Sequence, residues 1–362
     1  MKITHVISDS NIGGAGILLC SLIDGLKNDF DFEVIIPEGA ELAKRLPKEV
    51  KLTPLPFSKD RSFYWRDVAL FRDFFRKNPT DAVHTHASLS ARLGGKMSGV
   101  GRCISTRHCA YPESKVKRMS APKRFLYELS TDLTVSTADY ATKNLISEGL
   151  DKCKIVTIKN GSPDRLAQKH DGGFSVYEAL NIPRERKIIG SVGRLERIKG
   201  QDLILRSAKE VLKFFPDTHF VFVGSGSLEN EYKRFAARLG IDKNVSFTGY
   251  VSAPEVYQRE FYINVNASRG TETSSLATSE CMSLGIPTVA SSFGGNTEMV
   301  SHRKNGMIFN TDNVFSLTSA LLDLMDDEEL YRRACVEARK SFEENFTLAK
   351  MTERYKALYN AL

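Results

Sequence analysis

This 362-residue sequence predicts two doubly wound α/β domains joined by a polar connection. Three observations predict that class. Apolar runs of strand length alternate with amphipathic stretches of helix length along the chain, in units of about 30 residues, which calls for parallel sheets covered by helices on both faces. The order restarts once: KITHVIS opens residues 1–7, and KIIGSVG opens a second series at 187. At about 100–200 residues per domain, the length suits two domains. Ligands on such sheets sit beyond the carboxyl ends of the strands, so the two domains are expected to face each other across a ligand-binding cleft.

The first domain is expected over 1–170. Its strands fall near 2–7 (KITHVI), 32–36 (FEVII), 51–55, 81–85 (DAVHT), 102–106, 132–136 (DLTVS) and 154–158 (KIVTI). Each is a short run rich in Val, Ile, Thr or Phe between polar punctuation. The polar segment AQKHDGGFSVYEAL reads as the connection. The second domain is expected over 176–344, with strands near 187–192, 219–223, 244–248, 262–266, 287–291 and 307–309. Residues 275–284 read as a helix stopped by Gly285 at the position after the cap and by Pro287. Residues 341–362 read as closing helices.

Composition narrows the function classes. Hydrophobic residues make up 41% and charged residues 26%, an ordinary globular balance. MKITHVISDSNIGG lacks the charged and apolar regions of a signal peptide, and no run approaches the ~18 apolar residues of a membrane span. The expected location is therefore cytoplasmic, or peripheral on the inner face of the plasma membrane. Six scattered cysteines without a CxxC pair fit reduced, mostly buried thiols and argue against a zinc site. Of 51 Lys+Arg, 27 fall in residues 1–170 against 19 of the 44 acids, so the first domain is basic and the second near neutral. The basic domain should meet something anionic. Its centre is ESKVKRMSAPKRFLYE, residues 113–128, where Lys115, Lys117, Arg118, Lys123 and Arg124 adjoin Phe125, Leu126 and Tyr127. That mixture suits an anionic membrane surface, and equally a solvated helix face. No nucleic-acid module is visible.

The stretch RGTETSSLATSECMSLGIPTVASSFGG, residues 269–295, carries the chemistry. Glu272 and Glu280 stand eight positions apart, about 12 Å if helical. The amides near Ser275, Leu276 and Ala277 open the helix and suit a diphosphate. The two carboxylates suit polyhydroxyl groups at either end of it. The spacing alone favours a solvated loop acid and a helix-face acid. In SVGRLERIKGQD, Arg194 and Lys199 follow a strand and can flank one diphosphate. Gly224 lies in a tight loop after a strand where a nucleoside could rest. SDSNIGGAG holds Gly13 and Gly14, but its GGxG spacing departs from a dinucleotide fingerprint. In DAVHTHASL, His84 and His86 share one strand face. His86, at the carboxyl end, could edge an acceptor site, and His84 is expected in the core. His108 ends a strand in STRHCAY.

This setting resembles the retaining glycosyltransferases of GT-B architecture, family four in particular. The matching residues run Glu272, Glu280-Cys281-Met282, Gly285-Ile286-Pro287-Thr288-Val289, then Ser291 and Gly294-Gly295. Many members carry Gly-Phe-Gly after the first Glu, where this chain has Thr273-Ser274-Ser275. The resemblance implies two Rossmann-like domains with the last helix crossing back to the first, carrying the Tyr355 to Tyr359 face. It implies that Glu280 holds ribose hydroxyls, that Glu272 contacts the transferred sugar, and that Arg194 and Lys199 bind the diphosphate. It further implies that His108 contacts the sugar or its phosphate, that Gly13 and Gly14 line the cleft, and that Tyr250 and Val251 lie by the base. The expected reaction moves a sugar from a nucleotide diphosphate to a glycan or lipid-linked acceptor hydroxyl, with retention and with neither metal nor other cofactor. Three alternatives stay open. They are a nucleotide-sugar 2-epimerase of the same architecture, a nicotinamide oxidoreductase, and a non-catalytic sugar-nucleotide-binding protein.

Overall fold

A computed structural model describes residues 1–9, 13–168 and 173–362 of the chain. The chain divides into two compact units, Met1–Gly161 with Leu348–Leu362, and Ser162–Thr347.

The first unit is a seven-stranded parallel sheet, β1 (Lys2–Ile7), β2 (Asp31–Pro37), β3 (Lys51–Leu55), β4 (Ala82–His86), β5 (Arg102–Arg107), β6 (Leu133–Ser136) and β7 (Ile155–Thr157), in the order β3-β2-β1-β4-β5-β6-β7. Helices α1 (Gly14–Leu26), α2 (Trp65–Lys77), α3 (Leu89–Met97), α4 (Ala121–Ser130) and α5 (Asp139–Ser147) connect the strands. All of β4 is buried, and β1 and β2 are buried beyond their first residues. A strand covered on both faces needs a continuous apolar run rather than alternation, which is why FEVII and KITHVI read so plainly.

The second unit is a six-stranded parallel sheet, β8 (Lys187–Val192), β9 (Thr218–Val223), β10 (Val245–Phe247), β11 (Phe261–Asn266), β12 (Thr288–Ser291) and β13 (Gly306–Phe309), in the order β10-β9-β8-β11-β12-β13. Its helices are α6 (Val176–Ala179), α7 (Gln201–Val211), α8 (Glu229–Leu239), α9 (Glu255–Gln258), α10 (Leu276–Ser283), α11 (Asn296–Met299), α12 (Val314–Asp326) and α13 (Glu328–Asn345). Its largest core cluster joins Ile189, Phe220, Phe222, Ile263 and Val289 of the sheet to Leu203, Leu205, Leu317 and Leu321 of α7 and α12.

Helix α14 (Leu348–Asn360) belongs to the first unit, where it lies against α1. A Cβ on Gly25 would stand 2.6 Å from the Thr352 methyl, so α1 carries glycine where the two helices come closest. Tyr355 and Tyr359 are each 1% exposed. The break between units falls after Gly161, ahead of the polar connection at 167–180. Residues just past it bond within the second unit: Ser279 Oγ donates to Ser162 Oγ at 2.9 Å, and Arg339 pairs with Asp164 at 2.6 and 2.7 Å. Among the described residues no helix is long and apolar enough to cross a membrane.

Candidate functional site

Strand order explains why residues far apart in sequence meet. In the second sheet β8 and β11 are neighbours, and chain order reverses direction between them. At such a switch point the loops leaving two adjacent strands diverge and open a crevice. The loop after β8 brings Lys199, and the loop after β11 brings Glu272. Together with Ser191, Gln201, Ser268, Ser275 and Ala277 they line a small pocket open to solvent.

Glu272 is 7% exposed. Its Oε2 accepts from Lys199 Nζ at 2.8 Å and from Ser268 Oγ at 2.6 Å. Burial pushes this carboxyl up, but the Lys199 charge and hydrogen bonds from Lys199, Ser268 and Asn266 outweigh it and hold the group below its ordinary value. An ionised, oriented carboxylate is what a polyhydroxyl ligand requires as acceptor. Thr271, immediately before it, has φ 61°, a left-handed value that a β-branched residue adopts only at a cost of about 1–3 kcal/mol.

The paired glycines of the motif hold this loop from the other side. Gly294 has φ +62°, and a Cβ there would lie 2.3 Å from the Glu272 carbonyl oxygen; a Cβ on Gly295 would lie 2.1 Å from that of Thr273. Gly294→Ala is expected to destabilise the second unit by about 1–2 kcal/mol from the backbone conformation alone. It also shifts the Glu272 carboxylate, so activity should fall further than stability. Urea midpoints compared with turnover check this; an unchanged midpoint would remove the packing argument.

Helix α10 begins at the pocket. Ser275 caps it, its Oγ accepting from the Thr278 amide at 3.3 Å. The amides of Leu276 and Ala277, in the first turn, lack intrahelical acceptors, which leaves donors and the positive dipole end toward the pocket. Glu280 lies one turn further on, 8% exposed, with Oε1 receiving Arg165 Nη2 at 2.5 Å. Burial raises the Glu280 carboxyl; Arg165 opposes that, and Glu255 adds to it. Arg165 is a residue the motif reading missed. Its signal was position alone, directly after the NGSPD turn, and its partner is 115 residues away.

Other expected residues lie apart from the pocket lining. Arg194 is exposed and pairs with Glu196 at 3.0 Å, while its carbonyl accepts from Gln201 Nε2 at 2.9 Å. The Gly224 amide bonds the Gly249 carbonyl at 3.1 Å, and a Cβ there would meet the Gly193 carbonyl oxygen at 2.4 Å, so this glycine lets two loops touch. Tyr250 is 63% exposed and Val251 half-buried beside it.

In the first unit the corresponding switch point lies between β1 and β4. Gly13 caps α1, and a Cβ on either Gly13 or Gly14 would meet nothing within 4 Å. Local packing therefore does not demand glycine at those positions. His108 is half-buried just beyond β5, with Nε2 2.7 Å from His86 Nδ1. The expectation that His86 edges an acceptor site needs correction: it is 2% exposed, and its ring sits between His5 and His108. Its strand position is central, so helices cover it on that face. His84 is core, at 0%. The cysteines also differ from expectation, because only Cys103 and Cys281 are buried; all six are free. Lys115, Lys117, Arg118 and Lys123 are exposed, with Phe125 64% and Leu129 58% exposed on α4.

Comparison with known proteins gives two family matches that together span most of the chain. Residues 12–164 match Glycosyltransferase Family 4, and residues 176–341 match Glycosyl transferases group 1. An Escherichia coli relative named UDP-Gal:alpha-D-GlcNAc-diphosphoundecaprenol alpha-1,3-galactosyltransferase is 24% identical, across 99% of this chain and 96% of its own. A Corynebacterium aurimucosum D-inositol 3-phosphate glycosyltransferase is 24% identical, over 68% of this chain and 64% of its own. Among solved structures, Anabaena HepE in complex with UDP superposes with a TM-score of 0.85 at 16% identity, over 100% of both chains. WaaG, a glycosyltransferase involved in lipopolysaccharide biosynthesis, superposes at 0.77 with 14% identity over 99% of both.

Proposed function

We propose, from the premise that this chain belongs to glycosyltransferase family four and has the GT-B fold, that it transfers a hexose from a uridine diphosphate sugar to an acceptor hydroxyl with retention of configuration. The observation that carries the reading is the Lys199–Glu272 pair at 2.8 Å in a pocket that meets the start of α10. Breaking the anomeric C–O bond creates an oxocarbenium-like sugar and a diphosphate anion. Lys199 and the first amides of α10 stabilise the anion as it forms. Arg194, exposed on the loop after β8, exchanges Glu196 for the diphosphate and adds a second cation. Glu272 accepts hydrogen bonds from the sugar hydroxyls, and Glu280 from the ribose. Gly224, Tyr250 and Val251 border the base, and Gly13 and Gly14 leave room for the diphosphate and acceptor. His108 contacts the transferred sugar or its phosphate. With cations and amides carrying the leaving-group charge, the reading requires no metal and no cofactor.

The uridine choice is supported by relatives: HepE structures contain UDP and UDP-glucose, and the Escherichia coli relative is named for UDP-Gal. The same name includes a diphosphoundecaprenol acceptor, which supports a lipid-linked glycan here, made at the cytoplasmic face of the plasma membrane as part of cell-surface polysaccharide or glycolipid assembly. On this reading the basic segment 113–128, with exposed Phe125 and Leu129, rests on anionic lipid. Phe125→Ala with Leu129→Ala should reduce flotation with vesicles containing anionic lipid several-fold and leave soluble-donor hydrolysis unchanged. Equal flotation with and without anionic lipid would count against it.

The function itself is tested by a donor screen. Thermal stabilisation and slow donor hydrolysis are followed across nucleotide sugars, then repeated with Glu280→Ala and Lys199→Ala. Stabilisation by one uridine diphosphate sugar, lost in both variants, supports the reading. Conversion of the donor to an isomer without acceptor would instead make it an epimerase, and no response to any nucleotide sugar would end it.

A further inference from the structure

Glu280 is a buried carboxylate on α10, and the segment that opens the second unit is fastened around it. The Arg165 amide donates to Ser283 Oγ at 3.1 Å, and that hydroxyl donates on to the Glu280 carbonyl at 2.6 Å. The Arg165 carbonyl accepts from Nη2 of Arg259, just past α9. Asp164, one residue back, is forked by Arg339 of α13, and its Oδ1 accepts from the amides of Leu166 and Ala167 at 3.1 and 3.3 Å. The backbone at 164–167 is therefore fixed from α9, α10 and α13, and the Arg165 side chain leaves it from a set place.

The guanidinium does not grip Glu280 with both arms. Nη2 donates to Glu280 Oε1 at 2.5 Å, while Nη1 donates to Gln168 Oε1 at 2.9 Å and lies 3.7 Å from Glu255 Oε1. A carboxylate has about four acceptor sites on its two oxygens. Contact at one oxygen answers the charge and leaves acceptor sites over, where a bidentate fork would have engaged both oxygens.

The charges that face Glu280 oppose one another. Burial raises its carboxyl above the ordinary value, Arg165 opposes that, Glu255 of α9 reinforces it, and a hydrogen bond from Gln258 works with Arg165. The next cations are turned elsewhere: Arg259 to the carbonyls of Arg165 and Gln168, Arg339 to Asp164 and the Ser283 carbonyl. Burial holds the neighbouring Cys281 thiol neutral. Strands β11 and β12 also pack on α10, and their titratable residue, Tyr262, stacks on Tyr331 of α13 at 4.0 Å. Without Arg165, a buried carboxylate would be left facing a second acid.

We propose that Arg165 is a positioning residue for nucleotide binding: from its fixed backbone it holds one oxygen of Glu280, so that the carboxylate stays charged and its remaining acceptor sites meet the ribose hydroxyls. This rests on the reading of Glu280 as the ribose contact. An ionised carboxylate accepts from both hydroxyls of a vicinal diol, whereas a protonated one carries a donor of its own. The competing use of the pair is a plug, in which Arg165 occupies Glu280 until the nucleotide displaces it. The anchored backbone and the contact at one oxygen argue against a plug.

The test is calorimetric titration of the full chain with UDP in steps from pH 6 to pH 8.5. Each variant is expressed as its Kd over the parent's at the same pH, which cancels the titration of UDP itself. Loss of a cation raises a carboxyl, so the acceptor is lost from the acid side. Arg165→Met is expected to bind about tenfold more weakly at pH 6, the scale of one charge-assisted hydrogen bond, with the gap closing to about twofold by pH 8.5. Glu280→Gln should be weak with a gap that does not close, and Arg165→Met added to it should cost little more. Arg165→Lys, which keeps a charge, should show a level ratio. Parent-like binding by Arg165→Met beside a weak Glu280→Gln would overturn the proposal and leave the ribose reading standing. A loss of equal size at every pH would show a structural role alone, and tighter binding would show a plug; either overturns it. Parent-like binding by Glu280→Gln, or a parent that does not bind UDP, would end the ribose reading and the proposal together. If Arg165→Met does not fold, Arg165→Gln, neutral but still able to donate a hydrogen bond, carries the same expected pH trend and decides in its place.

Discussion

Lys199→Ala is expected to lower kcat by about 10²–10³-fold, the range for removing one preorganised group that stabilises a developing anion. Two losses combine. On the proposed reading the leaving diphosphate loses a half-buried cation, and Glu272, 7% exposed and paired to Lys199 at 2.8 Å, becomes a buried carboxylate held only by hydrogen bonds. Burial already pushes this carboxyl upward, so without Lys199 it moves toward its protonated form and ceases to be a double acceptor for sugar hydroxyls. Glu272→Gln added to Lys199→Ala should then cost less than it does alone, because both act through one pair. Lys199→Arg should not rescue fully, since a planar fork does not fill the place of a compact ammonium. Single-turnover rates with a saturating donor measure all of these. A Lys199→Ala enzyme within tenfold of the parent would show that the pair is structural.

The second large effect is acid lability of the first unit. His5 and His108 are held at about 3 and about 4 in the folded chain, against about 6.5 when unfolded. A lowered folded value means that the unfolded chain binds the proton first. The stabilisation is whole above about pH 6.5 and is lost as pH falls from there toward the folded values. Each such histidine contributes a slope of up to about 1.4 kcal/mol per pH unit, and His84 and His86 shift in the same direction. Among the described residues, the second unit has one comparable group, His219, at about 4. The Glu272 carboxyl, also lowered, adds its own loss only below the ordinary carboxylate range. The single tryptophan, Trp65, lies in the first unit and reports on it. Its unfolding midpoint in urea should drop steeply between pH 7 and pH 5, ahead of the far-ultraviolet signal that includes the second unit. A flat midpoint across that range would mean that the rings are charged or hydrated.

The strands were legible because a strand covered on both faces must be a short, continuous apolar run. KITHVI, FEVII and KIIGSV can be little else, and they stand as β1, most of β2 and β8. Both ends of α10 were legible because Ser275 at its start, and Gly285 and Pro287 at its end, are local signals, each acting within a turn of where it stands. Pairings across the chain were not. Arg165 reaches Glu280 over 115 positions, and His5 reaches Tyr359 over 354. Neither distance has a periodicity to announce it; both follow from strand order and from where α14 docks. His86 was misplaced for a related reason. Strand alternation gives the face a residue occupies, but its burial depends on what covers that face. Arg194 was assigned by motif to a ligand, while the free chain satisfies it with Glu196 two residues on.

The docking of α14 onto the first unit has a consequence for synthesis. A ribosome makes residues 1–161 first, yet this unit lacks Tyr355 and Tyr359 until α14 has emerged. The α1 face beside Gly25 and the histidine rings under Tyr359 stay uncovered meanwhile. Residues 162–347 contain every strand of their own sheet and can close as soon as α13 is out. The half encoded second is thus the half completed first, reversing the usual vectorial order of domains during translation. In a growing chain, the first unit is where a chaperone should be found waiting.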